Sequence, residues 1–351
     1  MTRGPQEATE DATQPANGLR GSEPGFRLNL QFYVRLVVIA LVVIWILKFL
    51  RDVGDEFSAA QFALSDLNLF YVVLSASSYL LGLVCFGLFW HLALLAMGQR
   101  PTLIESLRSY FLSHLGKYVP SKALVVVIRC DRVSSVRVNR SVAVVGVFIE
   151  TLGMIAVGGI LASSLLIAGY GGTYESNWLI LLAIGLAGGS SVGASPPMFR
   201  LVLRYLIKRR GITTLGQAID GLSWRFFFKG WCLAAVGWFF FSVSMILLLY
   251  AFTASEGAPI IEPSDYPQVI VAVSLSLVTG FISLLPGGAG VRELVISAIL
   301  APVIGPVLAM IAAISLRLVW LLCELTAAAG FLVHHRKFKG STKIDPPIQE
   351  S

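Results

Sequence analysis

Long apolar runs separated by short, charge-bearing connections constrain this chain more than any other feature. A helix needs about 20 apolar residues to cross the hydrocarbon core of a bilayer. Stretches at 35–50, 69–97, 141–169, 178–195, 231–252 and 268–285 reach or approach that length, and two closely coupled segments follow at 291–303 and 306–333. Charged residues make up only 13% of the chain and hydrophobic ones 56%, where a soluble domain carries roughly a quarter charged. The alternating segments of about ten residues that a membrane β-barrel requires are absent. The expected fold class is therefore an all-α integral membrane protein with about eight hydrophobic segments, some of them broken or re-entrant.

The connections carry charge of alternating sign. Residues 98–140 hold eight basic residues against Glu105 and Asp131, and residues 196–230 hold seven against Asp220. The intervening connections are the reverse: 51–66 hold Asp52, Asp55, Glu56 and Asp66 against Arg51, and 253–268 hold Glu256, Glu262 and Asp265. Lys/Arg-rich loops remain on the cytoplasmic side, so eight crossings place both termini inside (N-in/C-in), in an inner (plasma) membrane. The net charge of +7 is explained by these loops rather than by a nucleic-acid partner. Residues 1–32 are polar and read as a disordered cytoplasmic tail. They lack a signal-peptide pattern, because the first apolar run begins only near Leu36. Residues 33–335 form the polytopic membrane domain, and 336–351 a basic cytoplasmic tail.

Two stretches are neither simple spans nor simple loops. In 103–129, LIESLRSYFLSHL meets GKYVPSK and then ALVVVI, and each flank is too short to span. Two readings stand: a helix on the cytoplasmic surface followed by a loop, or a re-entrant hairpin turned by Gly116 and Pro120 with Lys117 and Lys122 at its tip. In 278–306, LLPGGAGVRELV contains Pro286, which ends a helix, and Gly287, Gly288 and Gly290, which permit unusual backbone. That stretch is either a tight cytoplasmic turn or a broken helix lining a site, since irregular backbone at membrane depth must be buried in protein or face a wet cavity. The two breaks fall in opposite halves of the chain, as in transporters built from inverted repeats.

Ionisable side chains within spans are costly and face a cavity or a partner. Glu150 lies about 13 Å along its span and Arg317 about 16 Å along the last one, with Glu324 two turns further on nearly the same face. Glu150 or Glu324 could pair with Arg317 as a purely structural contact. Alternatively, these groups join Arg292 and Glu293 in a functional polar cluster. Unpaired amides near 289–292, at the start of a helix after PGGAG, would favour an anion, and Arg292 would add a planar fork suited to phosphate. Within a bilayer the abundant anion is a lipid headgroup. Four scattered cysteines and four histidines form no metal-ligand spacing, no nucleotide-binding motif is present, and no cofactor is expected.

GKYVPSK, FIETLG, LLPGGAGVRELV and SLRLVWL, in that order, resemble the lysylphosphatidylglycerol synthase transmembrane domain family, also called flippase-like, over about residues 30–335. PGGAGVRE, matching PGG-x-G-x-x-E, is the most specific piece. The resemblance marks Lys117, Pro120, Glu150, Pro286, Gly287, Gly288, Gly290, Glu293 and Arg317. Thr151 stands where members often have Arg, and Ser121 where Gly often follows the Pro. The resemblance implies a domain that moves or presents lipids. In aminoacyl-phosphatidylglycerol synthases a soluble catalytic domain is fused to it, whereas here a short basic tail follows His335, so aminoacylation by this chain alone is not expected. The leading expectation is a transporter for an anionic phospholipid or a polyprenyl-linked phosphate, acting as a possible homo-oligomer or beside a separate soluble enzyme. The alternatives are a non-transporting accessory or scaffold protein, and a lipid-phosphate transferase. The scarcity of acids in the inner loops argues against the last.

Overall fold

The computed structural model describes residues 67–341, apart from 119–122, 135–136, 171–176, 194, 211–215, 217–220, 253–259 and 284, together with the isolated helical positions Ile44 and Arg51. The 1–32 tail, all of the 35–50 segment except Ile44, Pro120, Ser121, Lys122 and the end of the basic tail lie outside the described residues.

Regular structure here is helical. In chain order the helices are α1 (Leu69–Ala96), α2 (Leu103–His114), α3 (Ala123–Val133), α4 (Arg140–Ile167), α5 (Asn177–Gly193), α6 (Pro196–Arg210), α7 (Trp224–Ala251), α8 (Tyr266–Ile282), α9 (Val291–Ile304) and α10 (Pro306–Ser341). Short 3-10 turns at Leu115–Tyr118 and Pro286–Gly288 mark the two interrupted stretches. Among the described residues five helices are long and apolar enough to cross a membrane: α1, α4, α7, α10 as far as Val333, and α8 with the turn before it (Pro263–Ile282). The chain is an all-α membrane protein. At 17 residues α5 lies at the lower limit for a crossing, and α9, at 14, falls short of one.

Polar side chains define several helix starts. Asn68 caps α1, Asn139 caps α4 and Ser223 caps α7, each accepting from a first-turn amide, which satisfies donors that the helix cannot. Thr102 and Glu105 form a reciprocal capping box at α2. Helices α1 and α7 run antiparallel in close contact, with Asn68 N donating to Ala251 O at 3.0 Å. Their approach is reciprocal: a methyl group on Gly82 would meet Phe241 at 2.5 Å, and one on Gly237 would meet Phe86 at 2.7 Å. Such small residues let helices approach where lipid supplies no hydrophobic drive. Phe70, Leu81, Phe148, Phe228 and Phe239 point outward, exposed, as a lipid-facing surface requires.

The bundle has a basic end and an acidic end. The end of α1, the start of α2, the end of α3 and the start of α4 share the basic end, where Arg100 N donates to Arg137 O at 3.2 Å and Asn139 N to Gln99 Oε1 at 2.7 Å. The end of α7 and the start of α8 share the acidic end, where the Tyr250 and Tyr266 hydroxyls lie 2.6 Å apart. The pair α2–α3 is therefore a hairpin entering from the basic end, and α8–α9 a hairpin entering from the acidic end. Buried Tyr110, Phe111, Leu112, Gly116 and Tyr118 place the first hairpin inside the bundle, so the surface-helix reading of 103–129 does not hold. Both hairpins end where they meet.

Candidate functional site

Local backbone explains each tip. After His114, α2 tightens into the turn Leu115–Tyr118, and a methyl group on Gly116 would come within 3.0 Å of Val125 N in α3. Only a residue without Cβ lets the two arms close this tightly. In the second hairpin α8 stops at Ile282, and Gly287 and Gly288 take φ of 59° and 71° before α9 begins, a region that L side chains avoid. A methyl group on Gly287 would lie 3.2 Å from Arg317 Nη2 and 3.5 Å from Tyr118 Cδ1. The two breaks therefore face each other, as far as side-chain contact allows.

Three ion pairs surround this junction. Arg129, at the end of α3, donates from Nη1 to Glu150 Oε2 at 2.8 Å and from Nε to Ser113 Oγ at 3.0 Å, and both charged groups are buried. Its guanidinium lies 4.2 Å from the centroid of the Tyr110 ring, and Tyr110 donates to the other Glu150 oxygen at 3.3 Å. Lys117, at the first tip, pairs with Glu324 of α10, which also accepts from Tyr79 and from Tyr118, the latter at 2.8 Å. Arg317 pairs with Glu293 in the first turn of α9. The sequence left Glu150 or Glu324 as the partner of Arg317, and this needs correction. Each of those acids is taken by a base of the first hairpin, leaving Arg317 to the acid beside the PGGAG break.

Arg292 is the exception. It lines a cavity of about 250 Å³ whose walls include Tyr79, Tyr110, Lys117, Arg129 and Glu150. No salt bridge joins Arg292 to an acid among the described residues, and its Nε is buried without a hydrogen-bond partner. Its side chain crosses the backbone of Gly280 and Gly288, where a methyl group would meet Arg292 Nε at 2.6 Å and 2.8 Å respectively. Apart from His114 and Thr151 the remaining wall is mostly apolar and aromatic, with Leu83, Phe86, Phe241 and Trp320 on the inner side. Toward the outside it includes Phe148, which is 53% exposed, and the half-buried Val125 and Phe281. The cavity thus reaches the apolar outer surface between α3, α4 and α8.

Of the predicted site residues, Lys117, Glu150, Gly287, Gly288 and Arg292 line this cavity. Glu293 and Arg317 stand behind it as a pair. Gly290, the N-cap of α9 with φ of 81°, is exposed with nothing near its Cβ position, so its part is in the turn. Lys122 lies outside the described residues. Arg129 is one of the eight basic residues of 98–140, which the sequence reads only as loop charge, and the tyrosines at 79, 110 and 118 carry no such signal. The one available signal was that Arg129 closes the apolar run ALVVVI, a position that buries the charge once 103–129 is a hairpin. Among the described residues no group of three His, Cys, Asp or Glu side chains could hold a metal.

The sequence model of the family described as "Lysylphosphatidylglycerol synthase TM region" matches residues 32–327. No curated protein matches the chain.

Proposed function

Because the chain belongs to the lysylphosphatidylglycerol synthase TM region family, we propose that it moves an anionic amphiphile between leaflets, with the anion held at Arg292 and the chain or chains lying toward Phe148. The supporting observation is that Arg292, on the wall of a mostly apolar cavity, joins no acid in a salt bridge among the described residues and has a buried Nε without a hydrogen-bond partner. Four bases (Lys117, Arg129, Arg292 and Arg317) face three acids (Glu150, Glu293 and Glu324), and each acid already holds a base. A half-buried guanidinium without a carboxylate in contact is costly, and a bound phosphate would supply the negative charge through charge-assisted, bidentate hydrogen bonds. The side wall toward lipid suits a ligand whose tail stays in the bilayer while its headgroup enters the protein.

In this reading the substrate is an anionic phospholipid or a polyprenyl-linked phosphate. The protein sits in the plasma membrane with both termini cytoplasmic, as the loop charges favour. The opposed hairpins form a barrier at their tips, and their separation would open the site alternately to the two sides. Movement is passive or driven by a gradient. The test is leaflet-resolved lipid movement in proteoliposomes carrying fluorescent anionic or zwitterionic lipid. Faster movement of the anionic probe, abolished by Arg292→Gln, is expected. Rates equal to protein-free vesicles for every anionic lipid would remove the proposal.

A further inference from the structure

At the basic end, away from the cavity, α6 carries an apolar face that the protein leaves uncovered. Phe199, Leu203 and Ile207, spaced by four, turn inward, and the Phe199 ring lies 6.0 Å from that of Phe227 in α7. Arg200 donates from Nη2 to Leu222 O at 2.8 Å, which fixes α6 against the start of α7. A second stripe, Met198, Leu201, Val202 and Tyr205, is exposed, with Leu201 64% open. Its i, i+3, i+4, i+7 spacing is that of a helix face seeking apolar surroundings. Arg204 and Lys208 lie between the two faces and are exposed, while Arg209 reaches back to donate to the Tyr205 hydroxyl at 3.2 Å.

The start of α7 extends this ledge. Trp224 and Phe228 are 65% and 73% exposed and lie one turn apart. The same outward face continues through Cys232, Val236 and Phe239, all exposed, along the lipid side of a spanning helix. Trp224 and Phe228 therefore lie where that lipid-facing stripe reaches the membrane boundary, the depth at which amphipathic aromatics collect. Arg225 and Lys229 are exposed beside them. No salt bridge joins any of these bases to an acid among the described residues.

We infer that α6 and the first turns of α7 form a docking ledge for anionic phospholipid, with the Leu201 stripe sunk to the acyl boundary and Arg204, Lys208, Arg209, Arg225 and Lys229 on the phosphates. Water does not suit the exposed stripe. An acidic protein partner would satisfy the bases but not an apolar face set beside the lipid side of α7. A leaflet rich in anionic lipid satisfies both, as it does for interfacial amphipathic helices. The ledge is separate from the Arg292 cavity and does not depend on transport.

The experiment uses the full chain with Cys232→Ser and a fluorescent label at Leu201→Cys; Cys85, Cys130 and Cys323 are buried. The protein is reconstituted in phosphatidylcholine vesicles containing equal mole fractions of phosphatidylglycerol and phosphatidylcholine probes, only one of which has brominated chains. Brominated phosphatidylglycerol should quench the label at least about twofold more than brominated phosphatidylcholine, given the attraction of clustered bases for anionic lipid. The preference should collapse at high salt and in the Arg204→Gln/Lys208→Gln/Arg209→Gln variant. Equal quenching by both lipids, in the protein without the triple change, would overturn headgroup selection. Quenching by neither would show that the stripe is covered by something other than lipid, which overturns the ledge itself.

Discussion

Arg129 and Glu150 lie 2.8 Å apart with both side chains buried, whereas Arg292, on the wall of the same cavity, meets no carboxylate among the described residues. Two arginines in one cavity thus have opposite electrostatic situations. One has a carboxylate in direct contact and the other, among the described residues, has none, and this difference separates structure from function by the sign of a stability change.

Arg292→Gln is expected to abolish movement of anionic lipid while leaving stability unchanged or raised, because an uncompensated buried charge is removed. Arg129→Gln should instead destabilise by about 3–5 kcal/mol, since it strands Glu150. Unfolding in mixed micelles, measured beside transport, checks both. A large loss of stability in Arg292→Gln would make Arg292 a structural residue.

Lys117 and Glu324 tie the first hairpin tip to α10. Glu324→Gln and Lys117→Met should each destabilise by about 3–5 kcal/mol, and the double variant by clearly less than their sum. A double-mutant cycle in mixed micelles measures this coupling. Strict additivity would mean that the pair contributes nothing to holding the tips together.

The glycines of the second tip should rank by their surroundings. Gly290→Ala carries only the positive-φ penalty, about 1–2 kcal/mol, because the space around it is open. Gly288→Ala adds contacts at 2.8 Å with Arg292 Nε and at 3.0 Å with Gly280 Cα, so it should cost more and displace Arg292. Stability and lipid movement, measured on both variants, should show Gly288→Ala impaired in each respect.

At the base of the first hairpin, Glu105 pairs with Arg137 at 2.6 Å. Partial burial pushes its carboxyl up, but the Thr102 amide and hydroxyl and the Arg137 guanidinium outweigh this and hold it below its ordinary value of 4.5. A depressed carboxyl stabilises the fold above its unfolded value, and the gain fades as pH falls through the folded value. Exposure keeps the effect under about 1 kcal/mol. Stability of the native protein should therefore lose a little more than that of Glu105→Gln on acidification below about pH 4.5; identical profiles would dismiss the pair.

The helical membrane fold was legible because apolar length and turn residues are local signals. Pro286 and the glycines after it break the chain wherever they sit, and the structure has its second break there. The hairpin at 103–129 stayed ambiguous because α2 and α3 are each too short to declare burial; Tyr110 and Tyr118 become interior only through α4 and α10. Pairing was the least legible feature. Arg317 and Glu324 share one helix face, yet their partners come from segments as far away as Lys117, 207 residues from Glu324. Sequence spacing carries no information about such a choice, which depends on the depth each hairpin tip reaches.

The most direct measurement is an experimental structure of the full chain in nanodiscs containing anionic phospholipid. Headgroup density within hydrogen-bond distance of the Arg292 guanidinium, with its chain running past Phe148 to the bilayer, is the predicted result. Acyl chain alone in the cavity, or Arg292 joined to one of the protein's own carboxylates, would contradict it.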